Sequence, residues 1–396
     1  MQLPPVKEHA ELGLSDHVRF MPNNEGLQIL NYARGKDDVL MLAQGEGSDP
    51  TPDFITQAAC QALTQGETFY TPSRGMFELR QEISRYYERI YGCDVAVDRI
   101  VVTPSGSTAN FIGQMSILNP GDEVVIVSPV WQNLLGAVYL RGAHPYEVPL
   151  DQDAQGNWSL DMEKLETALT PRTKAIFINS PSNPTGWVMP KEQVEQALEL
   201  ARRYDIWLGS DEVYGRCVYD GGTAPSFVNI AKDDDKLLVI NSFSKAWAMT
   251  GWRLGWLVMP EGLQGVYDRL MRYVTLGTPG FIQKAGIEAL RNGEDFIHKQ
   301  IALWRSNADL LERELADCPS ITLAKPDSSF YAFLKLPEGQ CCLEFARGLI
   351  DNEKLALMPG VTFGKGANGY LRLCFAVNAP TLKEALTRLK RYANSL

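Results

Sequence analysis

The sequence predicts an α/β protein with a large domain built on a mostly parallel sheet and a smaller α+β domain after it. From about residue 78 to 260, short β-branched runs alternate with amphipathic stretches, which is typical of parallel strands covered by helices. After about residue 280, apolar residues recur at spacings of three and four, which indicates a long amphipathic helix. At 396 residues the chain exceeds the usual size of one core, so two domains are expected.

Six apolar runs are predicted to form the sheet of the large domain. They are Ile100–Thr103, Glu123–Val127, Ala175–Asn179, Ile206–Ser210, Leu237–Asn241 and Leu254–Val258. Helical stretches such as Gln193–Arg203 separate several of these runs. Most of these runs end within two residues of a Gly, Ser, Asn, Asp or Lys. Ligands of open α/β sheets bind beyond the carboxyl ends of the strands, so we expect these scattered polar residues to converge.

The remaining segments predict an N-terminal arm and a C-terminal domain. Residues 1–45 are expected to be an arm joining the smaller domain, 46–290 the large domain and 291–396 the smaller domain. Apolar positions from Ile297 to Leu315 mark the long helix that leads into the smaller domain. Three further segments there are predicted as regular elements: the strands Phe330–Leu336 and Tyr370–Ala376 and the closing helix Leu382–Asn394.

Composition and charge exclude several classes of protein. Hydrophobic content of 45% with 22% charged residues indicates a globular chain. A formal charge of −10 argues against a general binder of nucleic acids or anionic membranes, so any anionic ligand must be held by local positive groups. No run approaches the roughly 20 apolar residues of a membrane span.

Cysteine usage and the N-terminus predict a cytoplasmic protein without a metal site. Seven cysteines form an odd set with no C-x-x-C spacing, which favours reduced thiols over disulfides or metal ligands. The segment Met1–Glu8 lacks the basic and apolar stretches of a signal peptide.

Lys245 is the most informative residue for function. It lies in the segment from Asn241 to Arg253, where Ser242, Ser244 and Arg253 could hold a phosphate beside the amine. A free lysine has a pKa of about 10.4, so its amine is a nucleophile at neutral pH only when burial or a Schiff base intervenes. The pairing suggests a lysine condensed with pyridoxal 5′-phosphate. For this segment alone, a surface lysine in a serine-rich turn is the alternative.

Two other segments could complete a cofactor site. The residues from Ser105 to Asn110 follow a strand and precede an apolar helix, so that the N–H groups of small residues could bind an anion. An ordinary helix N-cap explains the same residues equally well. Trp131, after the strand Glu123–Val127, could stack on a pyridine ring or pack in the core.

Two polar turns carry further candidates. Asn183 lies in the segment Asn179–Gly186, where two prolines and a glycine fix a turn that could aim its amide. Asp211 also follows a strand and could pair with a protonated ring nitrogen, while Tyr214 reaches the ring oxygen. Taken alone, the turn that carries Asn183 would be interpreted as a structural loop. The segment from Asp211 to Tyr214 would be interpreted as the start of a helix.

Together these segments resemble the fold-type I enzymes that depend on pyridoxal phosphate, and specifically the class I/II aminotransferase family. The motifs are N-P-T-G, D-E-x-Y and S-x-S-K with a trailing G-x-R, in that order. The resemblance runs along most of the chain, and it implies a mostly parallel seven-stranded sheet in the large domain.

The resemblance implies a role for each residue near the cofactor ring. Lys245 would form the Schiff base with pyridoxal phosphate and later move the Cα proton. Asp211 would keep the pyridine nitrogen protonated, which makes the ring an electron sink. Asn183 and Tyr214 would hydrogen-bond the phenolic oxygen, and Trp131 would lie over the ring.

It also implies which residues hold the phosphate and the substrate. Four would bind the phosphate: Gly106, Ser107, Ser242 and Arg253. Arg372 would grip the substrate α-carboxylate as a bidentate fork, with Asn183 beside it. Gly45 would contact substrate, although the usual G-x-P-D order is altered here to G-E-G-S-D-P. Tyr70 would reach the cofactor phosphate of a neighbouring subunit, which implies a homodimer.

Three functions remain open from the sequence. The first is a ping-pong aminotransferase acting on an amino acid and a 2-oxo acid, and the second is a C–S β-lyase on the same scaffold. The third, a cofactor-sensing regulatory domain, is disfavoured because no DNA-binding extension is present.

Substrate choice is less well defined by the sequence. Ser107 is a hydroxyl where some dicarboxylate-active relatives carry a cation, which argues against strict aspartate specificity. Arg74 is a candidate contact to a distal carboxylate from the partner subunit. Trp131, Trp247 and Tyr273 are expected to accommodate an apolar side chain.

Overall fold

The structure, a computed structural model, describes residues 13, 15–19, 21–153, 156–220, 222–324 and 326–396. The segment Met1–Glu8, which was compared with a signal peptide, and part of the predicted N-terminal arm lie outside the described residues. In the part of the chain that is described, no helix has the length and apolar character needed to cross a membrane.

The strands follow one another along the whole chain. They are β1 (Leu40–Met41), β2 (Ile100–Thr103), β3 (Glu123–Ser128), β4 (His144–Pro149), β5 (Asp151–Gln152), β6 (Trp158–Ser159), β7 (Thr173–Asn179), β8 (Trp207–Asp211), β9 (Leu237–Ser242), β10 (Gly255–Val258), β11 (Thr322–Ala324), β12 (Tyr331–Lys335), β13 (Leu355–Ala356), β14 (Met358–Pro359) and β15 (Tyr370–Cys374).

Helices connect most of these strands. The α-helices are α1 (Asp16–Arg19), α2 (Glu25–Arg34), α3 (Asp53–Thr64), α4 (Phe77–Tyr86), α5 (Gly106–Ile117), α6 (Gln132–Leu140), α7 (Met162–Thr167), α8 (Lys191–Arg203), α9 (Gln264–Val274), α10 (Gly280–Asn292), α11 (Glu294–Leu315), α12 (Cys342–Glu353) and α13 (Ala379–Ala393). Short 3₁₀ turns lie at Val97–Arg99, Phe227–Asn229, Thr250–Trp252, Gly360–Phe363 and Lys365–Ala367, and a π-helical turn extends α4 over Tyr87–Tyr91.

A seven-stranded sheet forms the centre of the fold. Its strand order is β2-β10-β9-β8-β7-β3-β4. The neighbours from β9 to β4 are all parallel, whereas β10 runs antiparallel to both β2 and β9. The mostly parallel seven-stranded sheet expected from the sequence is therefore confirmed.

Each of the six runs predicted as strands belongs to this sheet, with its ends moved by at most two residues. These runs are buried along nearly their whole length, which explains their continuous apolar character. The seventh strand, β4, was not predicted. It lies at the sheet edge, and its sequence contains two prolines and exposed polar positions.

A second sheet is formed by the C-terminal part of the chain. The order is β11-β12-β15-β14, and its strands are antiparallel. The strand β1 of the N-terminal region pairs in parallel with β13, and Leu42 packs in the same apolar cluster as Phe333 and Leu386. The chain limits at residues 45 and 290 stay a prediction.

The start of α11 is bound to the large sheet. A Cβ at Gly293, between α10 and α11, would lie 2.6 Å from Trp247 Nε1 and 2.4 Å from the Ala289 carbonyl oxygen. The Arg216 guanidinium donates to both carboxylate oxygens of Glu294, at 3.0 and 2.6 Å. The predicted long helix therefore begins in close contact with the segments that follow β8 and β9.

Candidate active site

A cavity of about 300 Å³ lies at the carboxyl ends of the central strands. Parallel strands bring their carboxyl ends to one edge of a sheet, which is where the candidate residues converge. Among the residues that line it are Gly45, Gly106, Ser107, Trp131, Asn183, Asp211, Tyr214, Ser242, Lys245, Arg253 and Arg372. The structure thus brings together every residue assigned to the cofactor, the α-carboxylate and catalysis except Tyr70. Three candidates for contact with the substrate side chain, Arg74, Trp247 and Tyr273, are not among the lining residues.

Lys245 lies in the turn after β9 and points its amine into the cavity. Its Nζ donates to the Gly45 carbonyl oxygen at 2.6 Å. Burial lowers the Lys245 pKa to about 8, and the positive charge of Arg372 acts in the same direction. About a tenth of the amine is therefore neutral at pH 7, far more than for a free lysine, and the neutral form is the nucleophile.

Asp211 is the last residue of β8 and is 3% exposed. The backbone N–H of Val213 donates to its Oδ1 at 3.2 Å. Burial raises the Asp211 pKa to about 6, although the Val213 N–H and the charge of Lys245 oppose this rise. A buried carboxylate of this kind gains from a cationic ligand, because a positive charge nearby would stabilise its ionised form.

Arg372 is buried on β15 and two of its nitrogen atoms are already engaged. Its Nη1 donates to Asn183 Oδ1 at 2.9 Å and its Nη2 donates to the Ala43 carbonyl oxygen at 2.6 Å. Its Nε is buried and has no hydrogen-bond partner among the described residues. A guanidinium fixed in this way presents a free donor for an anionic ligand.

Asn183 and Tyr214 come from the turns after β7 and β8. The backbone N–H of Asn183 donates to Asn179 Oδ1 at 2.8 Å, which fixes the turn that carries it. The Tyr214 hydroxyl lies 2.9 Å from the hydroxyl of Tyr331. Burial raises the pKa of Tyr214 well above its ordinary value, so this hydroxyl keeps its proton at neutral pH.

A surface with several hydrogen-bond donors lies where β2, β9 and β10 meet. Ser105 has an unusual φ of 117° and caps α5 by accepting the Thr108 N–H at 3.1 Å. The first residues of α5, Gly106 and Ser107, line the cavity. A helix N-terminus carries unsatisfied N–H groups and favourable dipole, so it attracts anions.

Two hydroxyls and one guanidinium lie beside this helix N-terminus. Ser242 Oγ is 2.9 Å from Ser244 Oγ, and both residues line the cavity. Arg253 precedes β10 in a left-handed conformation with φ of 56°, and its Nη1 donates to the Thr250 carbonyl oxygen at 2.7 Å. Because β10 is antiparallel to its neighbours, the residue before it reaches the same sheet edge as the ends of β2 and β9.

Some residues considered from the sequence do not reach the cavity. Tyr70 is 88% exposed and lies outside it. Arg74 is engaged at the surface with Asp268, at 3.1 Å. The expectation that Trp247 contacts substrate is wrong, because Trp247 is packed in the core. Tyr273 projects from the surface of the described chain, and the expectation for it stays a prediction.

Several lining residues were not predicted. They are Leu30, Gln132, Tyr331, Met358, Thr362 and Phe363. The predicted strand Phe330–Leu336 includes one of them, but a fully buried strand has no polar alternation to show which face meets a ligand. Among the described residues no group of three or more His, Cys, Asp or Glu side chains is placed to hold a metal ion.

The sheet order and the cavity at its carboxyl edge are those of fold-type I enzymes. Residues 37–389 match the family model for Aminotransferase class I and II, and the chain belongs to this family. It is therefore an aminotransferase.

Named relatives cover nearly the whole chain. An aspartate aminotransferase of Pyrococcus horikoshii is 30% identical, over 98% of this chain and 98% of that protein. The aromatic-amino-acid aminotransferase 2 of Thermococcus litoralis is 31% identical, over 96% and 98%. The crystal structure of a Thermotoga maritima aspartate aminotransferase matches with a TM-score of 0.89 and 31% identity, covering 96% of this chain and 100% of that one. These relatives favour the aminotransferase over the lyase.

Proposed function

We propose that this aminotransferase binds pyridoxal 5′-phosphate through Lys245 and moves an amino group between an L-amino acid and a 2-oxo acid by a ping-pong cycle. The observation that carries the proposal is the position of a partly neutral lysine between an anion-binding helix N-terminus and a buried arginine with a free Nε.

The residues present fit this cofactor. The start of α5, with Ser242 and Arg253, offers N–H, hydroxyl and guanidinium donors to a phosphate. A Cβ at Gly255 would lie 2.6 Å from the Gly106 backbone nitrogen, so only glycine lets β10 approach this surface so closely. Asp211, whose pKa is raised by burial, suits a protonated pyridine nitrogen.

When bound, pyridoxal phosphate supplies an aldehyde carbon that condenses with amines and a ring that accepts electrons. With this group bound, Lys245 Nζ would hold its aldehyde carbon in the resting enzyme and would then accept the proton from the substrate Cα. Asp211 would keep the ring nitrogen protonated, Tyr214 and Asn183 would donate to the phenolic oxygen, and Trp131 would cover the ring face.

Arg372 orients the substrate through its α-carboxylate. Its Nε is free, and its two contacts to Asn183 and Ala43 fix the plane of the guanidinium. Gly45 lies beside it, and a Cβ there would approach the Tyr331 hydroxyl to 2.4 Å. A side chain at this position would displace one wall of the substrate site.

The walls of the cavity support a neutral amino donor. The cations among the described lining residues are Lys245, Arg253 and Arg372, and each has a role in the proposed cycle. The remaining lining residues other than Asp211 carry no charge, and they include the apolar side chains of Leu30, Met358 and Phe363. Amino acids with apolar or aromatic side chains are therefore the preferred substrates, ahead of aspartate or glutamate.

A homodimer completes the site. Tyr70 is exposed, and so are four other large hydrophobic residues of the segments around residues 70 and 276: Phe69, Phe77, Tyr273 and Leu276. Contact between the two chain segments is direct, since the Thr71 hydroxyl donates to the Thr278 carbonyl oxygen at 2.8 Å. Exposed apolar side chains on two adjoining segments are suited to contact with a second copy of the chain, which would receive the Tyr70 hydroxyl at its phosphate. The odd number of cysteines supports a cytoplasmic enzyme.

Single-turnover chemistry tests the proposal. The cofactor-loaded enzyme, mixed with phenylalanine and no acceptor, should release one equivalent of 2-oxo acid per site and stop. A 2-oxo acid added afterwards should restore turnover. Aspartate should react more slowly. Continuous release of ammonia and pyruvate from a β-substituted amino acid without acceptor would establish the lyase instead, and Lys245→Ala controls for chemistry outside the site.

A further inference from the structure

We propose that Tyr331 is a positioning residue that holds the Tyr214 hydroxyl and the Arg372 guanidinium in one fixed relation, so that the cofactor end and the substrate end of the cavity are aligned through a single side chain. This inference rests on the proposed function, because Tyr214 and Arg372 are assigned there to the cofactor and the substrate.

The contacts of Tyr331 support this role. Its hydroxyl lies 2.9 Å from the Tyr214 hydroxyl, and the Arg372 guanidinium carbon lies 4.4 Å from the centre of its ring. Phe363 is the second ring near the guanidinium, at 5.0 Å. Tyr331 is fully buried, so its side chain has no freedom to move toward solvent. One rigid ring thus contacts both functional groups.

The loop around Gly45 fixes the same hydroxyl from a third side. A Cβ at Gly45 would lie 2.4 Å from Tyr331 Oη, so the loop and the hydroxyl are in close contact. The carbonyl oxygen of Gly45 also accepts the Lys245 amine at 2.6 Å. Tyr331 is therefore packed against the residue that receives the lysine in the free enzyme.

The direction of the hydrogen bond between the two tyrosines follows from their proton count. Each hydroxyl has one proton to donate. When Tyr214 donates its proton to the phenolic oxygen of the cofactor, it can only accept from Tyr331. Donation by Tyr331 polarises the Tyr214 hydroxyl and makes it a stronger donor, because hydrogen bonds in a buried chain reinforce one another.

The surroundings keep this pair protonated. Burial raises the pKa of both tyrosines, and the charge of Arg372 opposes the rise for each without cancelling it. The other titratable groups that face the pair are Asp211, Cys217, Lys245 and Cys374. The hydroxyl of Tyr331 therefore stays protonated near neutral pH, and it acts through its hydrogen bond to Tyr214.

The decisive variant is Tyr331→Phe, which removes the hydroxyl and keeps the ring. A weaker bond from Tyr214 leaves more electron density on the phenolic oxygen, which then holds the neighbouring Schiff-base proton more tightly. The pKa of the visible absorption change of the loaded enzyme should rise by about 0.3 to 1. An unchanged pKa would overturn the proposal.

Tyr370→Phe is the matched control. Tyr370 lies in the same small sheet, stacks on Phe333 at 4.7 Å, and donates its hydroxyl to Gln152 at 3.0 Å outside the cavity. It loses the same atom from the same sheet, so a merely structural effect would appear in both variants. The absorption pKa of Tyr370→Phe should equal that of the unaltered enzyme, and an equal rise in both would overturn the proposal.

The ring is tested separately with 3-phenylpropionate, a carboxylate that binds and cannot react. Tyr331→Phe should bind this probe as the unaltered enzyme does, whereas Tyr331→Leu should bind it roughly 3- to 10-fold more weakly because the guanidinium loses the ring that supports it. Equal binding by both variants would refute the positioning of Arg372. If Tyr331→Leu does not fold, the Phe variant alone still decides the role of the hydroxyl.

Failure of this inference and failure of the proposed function give different results. An unaltered protein that develops no visible absorption with pyridoxal phosphate would remove the proposed function and this inference together. If the unaltered protein shows a normal pH transition and Tyr331→Phe shows the same transition, only the inference about Tyr331 fails.

Discussion

Replacing Arg372 with lysine is the sharpest test of how the substrate is held. Lysine keeps the positive charge and loses the planar fork that now donates to Asn183 at 2.9 Å and Ala43 at 2.6 Å while leaving Nε free. The substrate carboxylate should lose one charge-assisted hydrogen bond. At roughly 1.5–3 kcal/mol for such a bond, kcat/KM should fall about 10- to 150-fold.

Alanine should be more damaging at the same position. It removes the charge and leaves both the Asn183 oxygen and the Ala43 carbonyl without their donor, so a loss of roughly 3–5 kcal/mol, or about 150- to 4,500-fold in kcat/KM, is expected. Arg391→Lys is the matched control. Arg391 pairs with Glu353 at the surface, with a side chain 63% exposed, and its replacement should leave kcat/KM unchanged.

The assay is kcat/KM for alanine, phenylalanine and aspartate as donors with one fixed acceptor. Every amino acid carries the same α-carboxylate, so the three values should fall by the same factor. A loss confined to aspartate would refute the assignment, because it would show that Arg372 binds a side-chain carboxylate. Cofactor absorption measured in parallel checks that each variant is fully loaded.

Three other perturbations test the site. Borohydride should fix the cofactor on Lys245, and a label on another residue would contradict this. The apoenzyme should react with pyridoxal phosphate faster as the pH rises through about 8, because the neutral amine attacks. A reaction rate that does not change with pH would contradict that expectation. Asp211→Asn should stabilise the apoenzyme against heat above pH 6, by up to about 3 kcal/mol for a pKa raised from 3.8 to about 6. This gain should shrink as the pH falls from 6 and vanish below 3.8, where the carboxyl is protonated in both the folded and the unfolded state. The same variant should weaken cofactor binding. Loss of apoenzyme stability would refute that sign. Co-refolded Tyr70→Ala and Lys245→Ala subunits should regain part of the activity; no recovery despite subunit exchange would show that Tyr70 does not serve its neighbour.

Sequence patterns were sufficient for the buried strands of the large sheet. A run such as Ile100–Thr103 is enclosed on both faces, so its residues are uniformly apolar and its ends are marked by polar turns. The edge strand His144–Pro149 has one face in solvent, and its two prolines make its sequence resemble that of a loop. Its position is fixed by pairing with β3, which is a contact between distant segments.

The residues of the candidate site likewise fall into those that a local motif predicts and those that it does not. Lys245, Asp211 and Asn183 each stand in a local motif whose chemistry is visible in a few consecutive residues. Tyr331 has no such motif, because its partner Tyr214 lies 117 residues away and meets it only when the two sheets are packed together. Contacts of this kind depend on the tertiary arrangement, and a single sequence carries no local signal for them.

The pairing of Ser242 with Gly255 has a consequence for how this enzyme can vary. That pair closes the loop of residues 243–254, and the loop carries both the amine of Lys245 and the guanidinium of Arg253. The register of this one strand pair therefore sets the distance between the aldehyde-binding end, at Lys245, and the phosphate-binding end, at Arg253. Insertions in this loop would misplace one end relative to the other. Leu30 and Met358 line the same cavity but lie outside this loop, so substrate preference can vary while the separation of the two ends stays fixed.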